Sequence, residues 1–336
     1  MLLSITDRGI YCAEADVYID PWKSVPRALI THAHSDHARR GNKQYITQEF
    51  SAPIIKHRIK GAKVRGVKFG EKININGVQF SFHPAGHIIG SAQIRVEHKG
   101  RIEVASGDYK LESDGISGEI EIIKCHHFIT ESTFGLPIFR WRPQSEVFSE
   151  INDWWTENKN KGKISLLTAY SLGKAQRLIH NLNSEFGTIY THGTIEKING
   201  LFRDQGIGVP KTSLLTPEIS TKQLIGNMVI TPSASLGTSW SKNIIAPSIA
   251  NASGWMALGK NSKRGGADRG FVLSDHADWD GLNKVIELTG ASQVTVTHGY
   301  TEQFAKHLAE KGTNAYTAST DYTGETMIEN ESKEES

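Results

Sequence analysis

Histidine and aspartate are concentrated in one short segment near the start of the chain. His32, His34, Asp36 and His37 follow the apolar run at 27–30. On an extended strand end His32 and His34 point the same way, and Asp36 and His37 then face a neighbouring point across the turn. Imidazole and carboxylate are ligands for divalent ions, and two pairs of ligands suit two metals roughly 3.5–4 Å apart. The motif contains no cysteine, which argues against a closed structural zinc site.

Three further candidate ligands stand at the ends of strand-like segments, namely His87, Asp108 and His298. Loops that follow strand ends are where sites are usually built. An isolated histidine or aspartate is more often a surface or hydrogen-bonded residue. The first motif changes that reading, because two metals need roughly seven ligands as well as open positions for water.

The elements that must position these residues are of two kinds. The first third reads as short strands rich in β-branched residues and broken by Gly, Asn and Pro. A helix predicted at 146–162 is followed by alternating strands and helices, a pattern typical of a parallel α/β layer. Strands return at 269–278 and 292–299. The sequence therefore predicts a β-rich shell around an α/β block near 140–265, with the basic, Gly-rich run 260–270 as a seam.

Composition excludes several classes of protein. The 336 residues are 38% hydrophobic and 22% charged, within the globular range and enough for about two domains. The net charge of +2 says little about partners. No apolar run approaches the roughly 18 residues of a membrane helix, and the first residues lack the basic head of a signal peptide. We therefore expect no membrane partner. Two cysteines cannot form a disulfide framework, so we expect buried thiols and location in a reducing cytoplasm.

The ordered series of histidines and aspartates resembles that of the metallo-β-lactamase fold. His34 stands where the diiron oxygen-reducing branch has glutamate, so the series resembles the hydrolase branch. Later segments are similar to the β-CASP nucleases: Glu131 matches their motif A acid, His276 in Ser274–Asp278 matches motif B, and His298 matches motif C. The chain most resembles the bacterial ligase-associated DNA exonuclease family, over nearly its whole length.

The resemblance implies an α/β fold, a metallo-β-lactamase αββα sandwich with an inserted α/β β-CASP domain. The first part of the metallo-β-lactamase domain would span 1–140, and the inserted domain 141–265. The second part would span 266–326. An acidic tail at 327–336, rich in Glu, is predicted to be disordered.

The resemblance also implies the roles of the site residues. One divalent ion, zinc or manganese, would be held by His32, His34 and His87, and a second by Asp36, His37 and His298, with Asp108 bridging both. The catalytic residues would be His276, as proton donor to the leaving oxygen, and Glu131, which would orient His276. Asp36 would be a catalytic residue as well as a metal ligand. Asp20 would support a ligand histidine from outside. Asp278 would either support a ligand histidine in the same way or be an exposed carboxylate at a strand end.

Four residues of the inserted block are candidates for contacts to substrate phosphate. Gly173 and Lys174 begin a predicted helix directly after a strand, and helix N-terminal N–H groups with a lysine attract phosphate. An ordinary helix start with an exposed lysine explains the same pattern. Ser253 and Gly254 can place a hydroxyl and backbone N–H groups near a phosphate, or form a turn before a packed Trp255.

These features predict a metal-dependent DNA exonuclease that acts in DNA repair. The resemblance implies a DNA ligase and a helicase as partners. His298 in motif C is, however, typical of RNA-processing β-CASP enzymes, so a ribonuclease, endo or exo, is the alternative. A small-molecule metallohydrolase and a non-catalytic nucleic-acid scaffold are further alternatives. The inserted block argues against the former, and the complete ligand set argues against the latter.

Overall fold

The computed structural model describes residues 1–259 and 266–322, which divide into two compact units. The first unit comprises Met1–Ser113, Ser117–Arg140 and the chain from His276 onward, and the second comprises Asp114–Ile116 and Trp141–Asp275. The predicted acidic tail at 327–336 lies outside the described residues, as does most of the basic part of the predicted seam, at 260–265. The sequence-based boundaries at 140 and 265 stay predictions.

The first unit begins with two sheets. One contains β1 (Leu3–Ile5), β2 (Ile10–Cys12), β3 (Val17–Ile19), β4 (Ala28–Ile30), β5 (Tyr45–Gln48) and β6 (Val64–Val67), in sequence order, with α1 (Ala52–Arg58) between its last two strands. The second sheet begins with β7 (Ile73–Ile75), β8 (Val78–Pro84), β9 (Ala92–His98), β10 (Arg101–Ala105) and β11 (His127–Ser132).

The second unit is a parallel sheet with helices, as the strand–helix alternation predicts. Its helices are α2 (Gln144–Asn160), α3 (Lys174–Asn181), α4 (Gly193–Arg203) and α5 (Thr221–Leu224). Its strands are β12 (Ser165–Thr168), β13 (Ile189–Thr191), β14 (Ser213–Leu214), β15 (Met228–Thr231), β16 (Ser248–Ala252) and β17 (Arg269–Phe271), in the spatial order β14-β13-β15-β12-β16-β17. Every pairing in this sheet is parallel.

The chain then returns to the second sheet of the first unit through α6 (Trp279–Thr289), β18 (Gln293–Gly299), α7 (Thr301–Glu310) and β19 (Asn314–Thr317). The strand predicted over 269–278 is therefore wrong beyond Phe271, because the chain leaves the ladder there and the following residues form a loop. Within the described residues, no helix is both long and apolar enough to cross a membrane.

Strand direction in the second sheet gathers the candidate ligands at one edge. β9 runs antiparallel to both β8 and β10, while β10, β11 and β18 pair in parallel. β8, β10, β11 and β18 therefore point the same way and end at the same edge. His87 and Asp108 follow the first two of these strands, and Glu131 and His298 lie near the ends of the other two.

The core of the first unit lies between its two sheets and under its helices. Val17, Ile19 and Leu29 of the first sheet pack against Phe80 and Ile94 of the second. The opposite face of the second sheet is covered by apolar side chains of α6 and α7. Alternating inward residues on each strand produce this layering, since successive side chains of a strand point to opposite faces. Both cysteines are free and buried, as expected.

A buried carboxylate fastens the start of the chain to the second sheet. Glu103 accepts hydrogen bonds from the backbone N–H groups of Leu2 and Leu3 at 2.9 and 2.8 Å and from Arg101 Nε at 2.6 Å. It also contacts His127 Nδ1 at 3.1 Å. Burial opposes ionisation, but hydrogen bonds from His127, Arg101 and the two N–H groups lower the pKa of Glu103 from 4.5 to about 2.

Replacing this carboxylate, as Glu103→Gln, is expected to lower stability in a pH-dependent way. The folded state has the lower pKa, so the stabilisation is present above pH 4.5 and is lost as the pH falls towards 2. The shift corresponds to about 3 kcal/mol at neutral pH. Urea unfolding should show that difference at pH 7, closing below pH 4. The half-buried Glu97, changed to Gln as a control, should cost about 1 kcal/mol or less. A pH-independent difference for Glu103→Gln would contradict this account.

Candidate metal centre

Three histidines and one aspartate form the first group of candidate ligands. His32 Nε2 lies 3.1 Å from His34 Nδ1, and His87 Nε2 lies 3.3 Å from the same atom. Asp108 Oδ2 lies 3.5 Å from His32 Nε2 and 3.8 Å from His87 Nε2. All four side chains are buried, so the facing atoms enclose one small volume.

A second group shares Asp108 with the first. His298 Nε2 lies 2.9 Å from Asp108 Oδ1, and His37 Nε2 lies 3.5 Å from Asp108 Oδ2. Asp36 Oδ2 is 3.8 Å from His37 Nε2. The structure thus brings six of the seven predicted ligands into two groups that share Asp108, and it places Asp36 beside His37. Their roles as ligands remain a proposal.

Asp20 connects the end of β3 with the ligand loop. Its carboxylate accepts the backbone N–H and the hydroxyl of Thr31 at 2.8 and 2.5 Å, and contacts His37 Nδ1 at 2.8 Å. Its backbone has a φ of +42°, which is uncommon for a residue with a side chain. A contact of this kind fixes the tautomer of a ligand histidine, here leaving Nε2 to face Asp108.

A glycine lets the Asp108 loop approach the first ligand loop. Gly107 has a φ of +57°, and a Cβ atom there would stand 2.6 Å from the side chain of Thr31. No other residue fits that separation without displacing Thr31. The glycine therefore allows Asp108 to reach both histidine groups.

The electrostatic environment around His37 favours positive charge. Burial lowers the pKa of His37, but the nearby Asp108, Asp36 and Asp20 outweigh it and hold the pKa well above its ordinary value. Burial also opposes ionisation of Asp108, yet His37 and His298 hold the pKa of its carboxyl well below the usual range. The carboxylate of Asp108 is therefore charged and attracts cations.

The donor atoms fit divalent ions. Two nitrogens about 2.1 Å from a tetrahedral ion lie roughly 3.4 Å apart, close to the separations within the first group. Asp36 Oδ1, His37 Nε2 and Asp108 Oδ1 are buried and make no hydrogen bond, although the last is near His298. Buried polar atoms of this kind are costly unless something else binds them. The buried cluster is consistent with divalent-metal binding, and nitrogen and oxygen donors admit zinc or manganese.

His276 and Glu131 form a pair beside the cluster. Glu131 Oε2 lies 2.8 Å from His276 Nδ1, and Glu131 Oε1 accepts the backbone N–H of Tyr109 at 2.8 Å. The His276 ring lies 4.6 Å from the ring of His87. A carboxylate on one ring nitrogen leaves the other as the atom that can exchange a proton with a substrate. Asp108, Glu131 and His276 are also close enough to hold a metal, so geometry alone leaves both roles open.

The other predicted site residues lie outside the ligand cluster. Asp278 caps α6, where its Oδ1 accepts the N–H of Gly281 at 2.8 Å. Gly173 and Ser253 follow β12 and β16, which are neighbours in the parallel sheet, so both loops leave the same edge. Gly173 donates its N–H to Gln176 Oε1, and Ser253 Oγ accepts the N–H of Trp255, in the turn that contains Gly254. Phosphate binding by these residues and by Lys174 stays a prediction.

The expectation that Lys174 is an exposed lysine is wrong. Lys174 is 2% exposed, and its Nζ lies 3.9 Å from Asp275 Oδ2. On the same helix Arg177 is fully buried. Its Nε is 2.9 Å from Asp275 Oδ1, and its Nη2 is 3.3 Å from Asp114 Oδ2. The carboxylate of Asp275 holds the lysine inside because charged groups are buried only when they are paired.

Arg177→Met is expected to destabilise the second unit by about 3–5 kcal/mol, since it leaves two buried carboxylates without their guanidinium. The matched control is Arg142→Met, because Arg142 pairs with Glu150 while 54% of its side chain is exposed. That change should cost about 1 kcal/mol or less. Urea unfolding measures both variants. Equal midpoints for the two would show that the buried pairs add nothing.

Sequence reasoning missed three residues that contact the candidate ligands or their loops. Thr31 stands inside the motif and could have been found there. Arg58, from α1, donates to the backbone carbonyl of Ala33 at 2.6 Å. Tyr322 stacks on His37. Arg58 and Tyr322 lie far along the chain from any ligand, and no local pattern marks them.

Comparison with known proteins gives relatives of two kinds. No family model matches the chain. A probable DNA ligase of Opitutus terrae is 27% identical over 311 residues, which are 92% of this chain and 30% of that protein. Endoribonuclease YSH1 of Eremothecium gossypii is 31% identical over 119 residues, 35% of this chain and 15% of that protein. Cleavage and polyadenylation specificity factor 73 of Drosophila melanogaster is 29% identical over 119 residues, 35% of this chain and 17% of that protein.

A solved structure resembles the fold across most of the chain. It is a protein of unknown function from Enterococcus faecalis V583, with a TM-score of 0.58 at 11% identity, covering 89% of this chain and 80% of that one. The architecture is the metallo-β-lactamase fold with a β-CASP domain, as the sequence predicts. The chain spans less than a third of the length of the curated relatives described above.

Proposed function

We propose that this protein is a metal-dependent nuclease that hydrolyses DNA phosphodiesters, as an exonuclease in DNA repair. The observation that carries the proposal is the shared position of Asp108 between two buried ligand groups, with the His276–Glu131 pair beside them. Similarity to proteins named as nucleases and as a probable DNA ligase supports a nucleic-acid substrate.

Seven residues would hold the two ions: His32, His34 and His87 on one side, Asp36, His37 and His298 on the other, and Asp108 between them. When bound, two divalent ions supply positive charge to the anionic phosphodiester and lower the pKa of water. Asp20 and Thr31 keep the ligand loop in one conformation through buried hydrogen bonds. Ligands held in this way need little reorganisation during the reaction.

The leaving oxygen of a phosphodiester must gain a proton, and we assign its donation to His276. Glu131 contacts Nδ1 of His276, which assigns proton donation to Nε2. The backbone N–H of Tyr109 holds the other oxygen of Glu131, so the carboxylate cannot rotate away. An imidazole whose other nitrogen contacts a carboxylate is a suitable general acid for this step.

We propose DNA as the substrate instead of RNA because the similarity to the probable DNA ligase covers most of this chain. The endoribonucleases align over about a third of it. The same similarity supports a DNA ligase as a partner, and a helicase is proposed from the family resemblance alone. Location in the cytoplasm is proposed from the two buried, unpaired cysteines. RNA processing is the second candidate function, since His298 joins the ligand cluster.

The test is digestion of end-labelled DNA and RNA, single- and double-stranded, by chelated protein reloaded with zinc or manganese in turn. The proposal expects DNA to shorten from its ends and closed circular DNA to resist. Cleavage of RNA alone would contradict the DNA exonuclease and favour an RNA-processing ribonuclease. Hydrolysis of a small ester without any nucleic-acid cleavage would favour a small-molecule hydrolase. Nucleic-acid binding without hydrolysis would favour the scaffold.

A further inference from the structure

A tyrosine near the end of the described chain packs on the second ligand group. The ring of Tyr322 stacks on His37, with centroids 4.5 Å apart and planes 7° apart. It meets His298 edge-on at 5.2 Å and Trp22 edge-on at 5.6 Å. Its hydroxyl donates to the backbone carbonyl of Asp20 at 3.0 Å. One side chain therefore contacts two ligands and the residue that orients one of them.

The segment that leads to this tyrosine is held by the ligand-bearing elements. β19 pairs in parallel with β18, and the N–H of Ala318 donates to the carbonyl of Val296 at 2.9 Å, close to His298. The side chain of Arg39, close to His37, donates to the backbone carbonyl of Asp321. Tyr322 is thus held in place by the same loops that it covers.

The two ligand groups are supported differently. In the first group the rings of His32, His34 and His87 meet one another edge-on, with centroids 4.8 to 5.0 Å apart. In the second group, Nδ1 of His37 contacts the carboxylate of Asp20, and the face of its ring stacks on Tyr322. The hydrogen bond limits rotation in the ring plane and the stacked phenol limits tilt, so Nε2 stays directed at Asp108.

We propose that Tyr322 is a positioning residue for the group formed by Asp36, His37, Asp108 and His298, so that retention of one of the two metals depends on the segment 318–322. This inference rests on the metal binding in the proposed function and is independent of the substrate. Its consequence is an asymmetry: loss of the tyrosine weakens one metal and leaves the other bound.

The experiment is a chelator competition with full-length protein loaded with zinc, in which the ions bound per chain are counted by native mass spectrometry. In Tyr322→Ala, one ion should dissociate at a chelator concentration roughly 10–100-fold lower than in the wild type, as for other partners that orient a ligand. The second ion should dissociate as in the wild type. Tyr322→Phe keeps the stacked ring and should recover most of the affinity.

Tyr316→Ala is the matched control, because Tyr316 lies on β19 just before that segment and is 48% exposed, and it should retain both ions as the wild type does. If Tyr322→Ala fails to fold, Tyr322→Leu fills the space without stacking or donating and should show the same selective loss. Equal weakening of both ions, or wild-type affinity for both, would overturn the inference. Two bound zinc ions with no nuclease activity would instead overturn the proposed function and leave the inference standing.

Discussion

Asp108→Ala is expected to abolish hydrolysis and to lower the metal content of the protein from two ions to less than one. Asp108 is shared by both ligand groups, 2.9 Å from His298 and 3.5 Å from His32 and His37. In the proposed dinuclear site, its removal would take a ligand from both ions at once and leave the histidines without their counter-charge. A loss of several kcal/mol in transition-state stabilisation corresponds to more than roughly a thousandfold in rate.

Metal analysis after reconstitution, together with the rate on end-labelled DNA, measures this effect. Asp7→Ala is a suitable control, because Asp7 belongs to the same unit but pairs with Lys23 at an exposed position. It should keep both ions and full activity. If the Asp108→Ala protein still binds two ions, Asp108 does not bridge the groups and the dinuclear assignment is wrong.

His276→Ala is expected to slow hydrolysis of DNA by roughly 10²–10⁴-fold while both ions stay bound. His276 contacts Glu131 and belongs to neither of the two proposed ligand groups, so in the proposed mechanism its loss would remove a proton donor and leave those ligands in place. A chromogenic phosphodiester offers a sharper view, because its phenolate leaves as a stable anion without a proton. The variant should retain much more of its activity on that substrate than on DNA.

Glu131→Gln should reproduce the defect in part, since it weakens the contact that orients His276. His98→Ala is the control, because His98 contacts the carbonyl of Gly77 and lies outside the cluster. Loss of an ion in His276→Ala would move His276 into the ligand set with Asp108 and Glu131, which are close enough to hold a metal with it. Equal defects on both substrates would remove the proton-donor role.

The candidate ligands could be found in the sequence because each is marked locally. His32, His34, Asp36 and His37 fall in six residues after a strand, and Asp108 follows a strand and a glycine. Loops that follow strand ends commonly carry functional residues, so these positions could be singled out before the strand order was known. The parallel α/β block was predictable for a similar reason, since alternating strands and helices leave a regular pattern in the sequence.

Residues that depend on distant partners could not be found in this way. Lys174 has the local setting of an exposed lysine at a helix start, yet it is buried because Asp275, a hundred residues later, faces it. Tyr322 has no pattern around it, and its partner Asp20 lies 302 positions away. The sequence alone therefore determined which residues can ligate metals. Only the tertiary structure decided which side chains hold them in place, because burial and pairing arise when remote segments pack together.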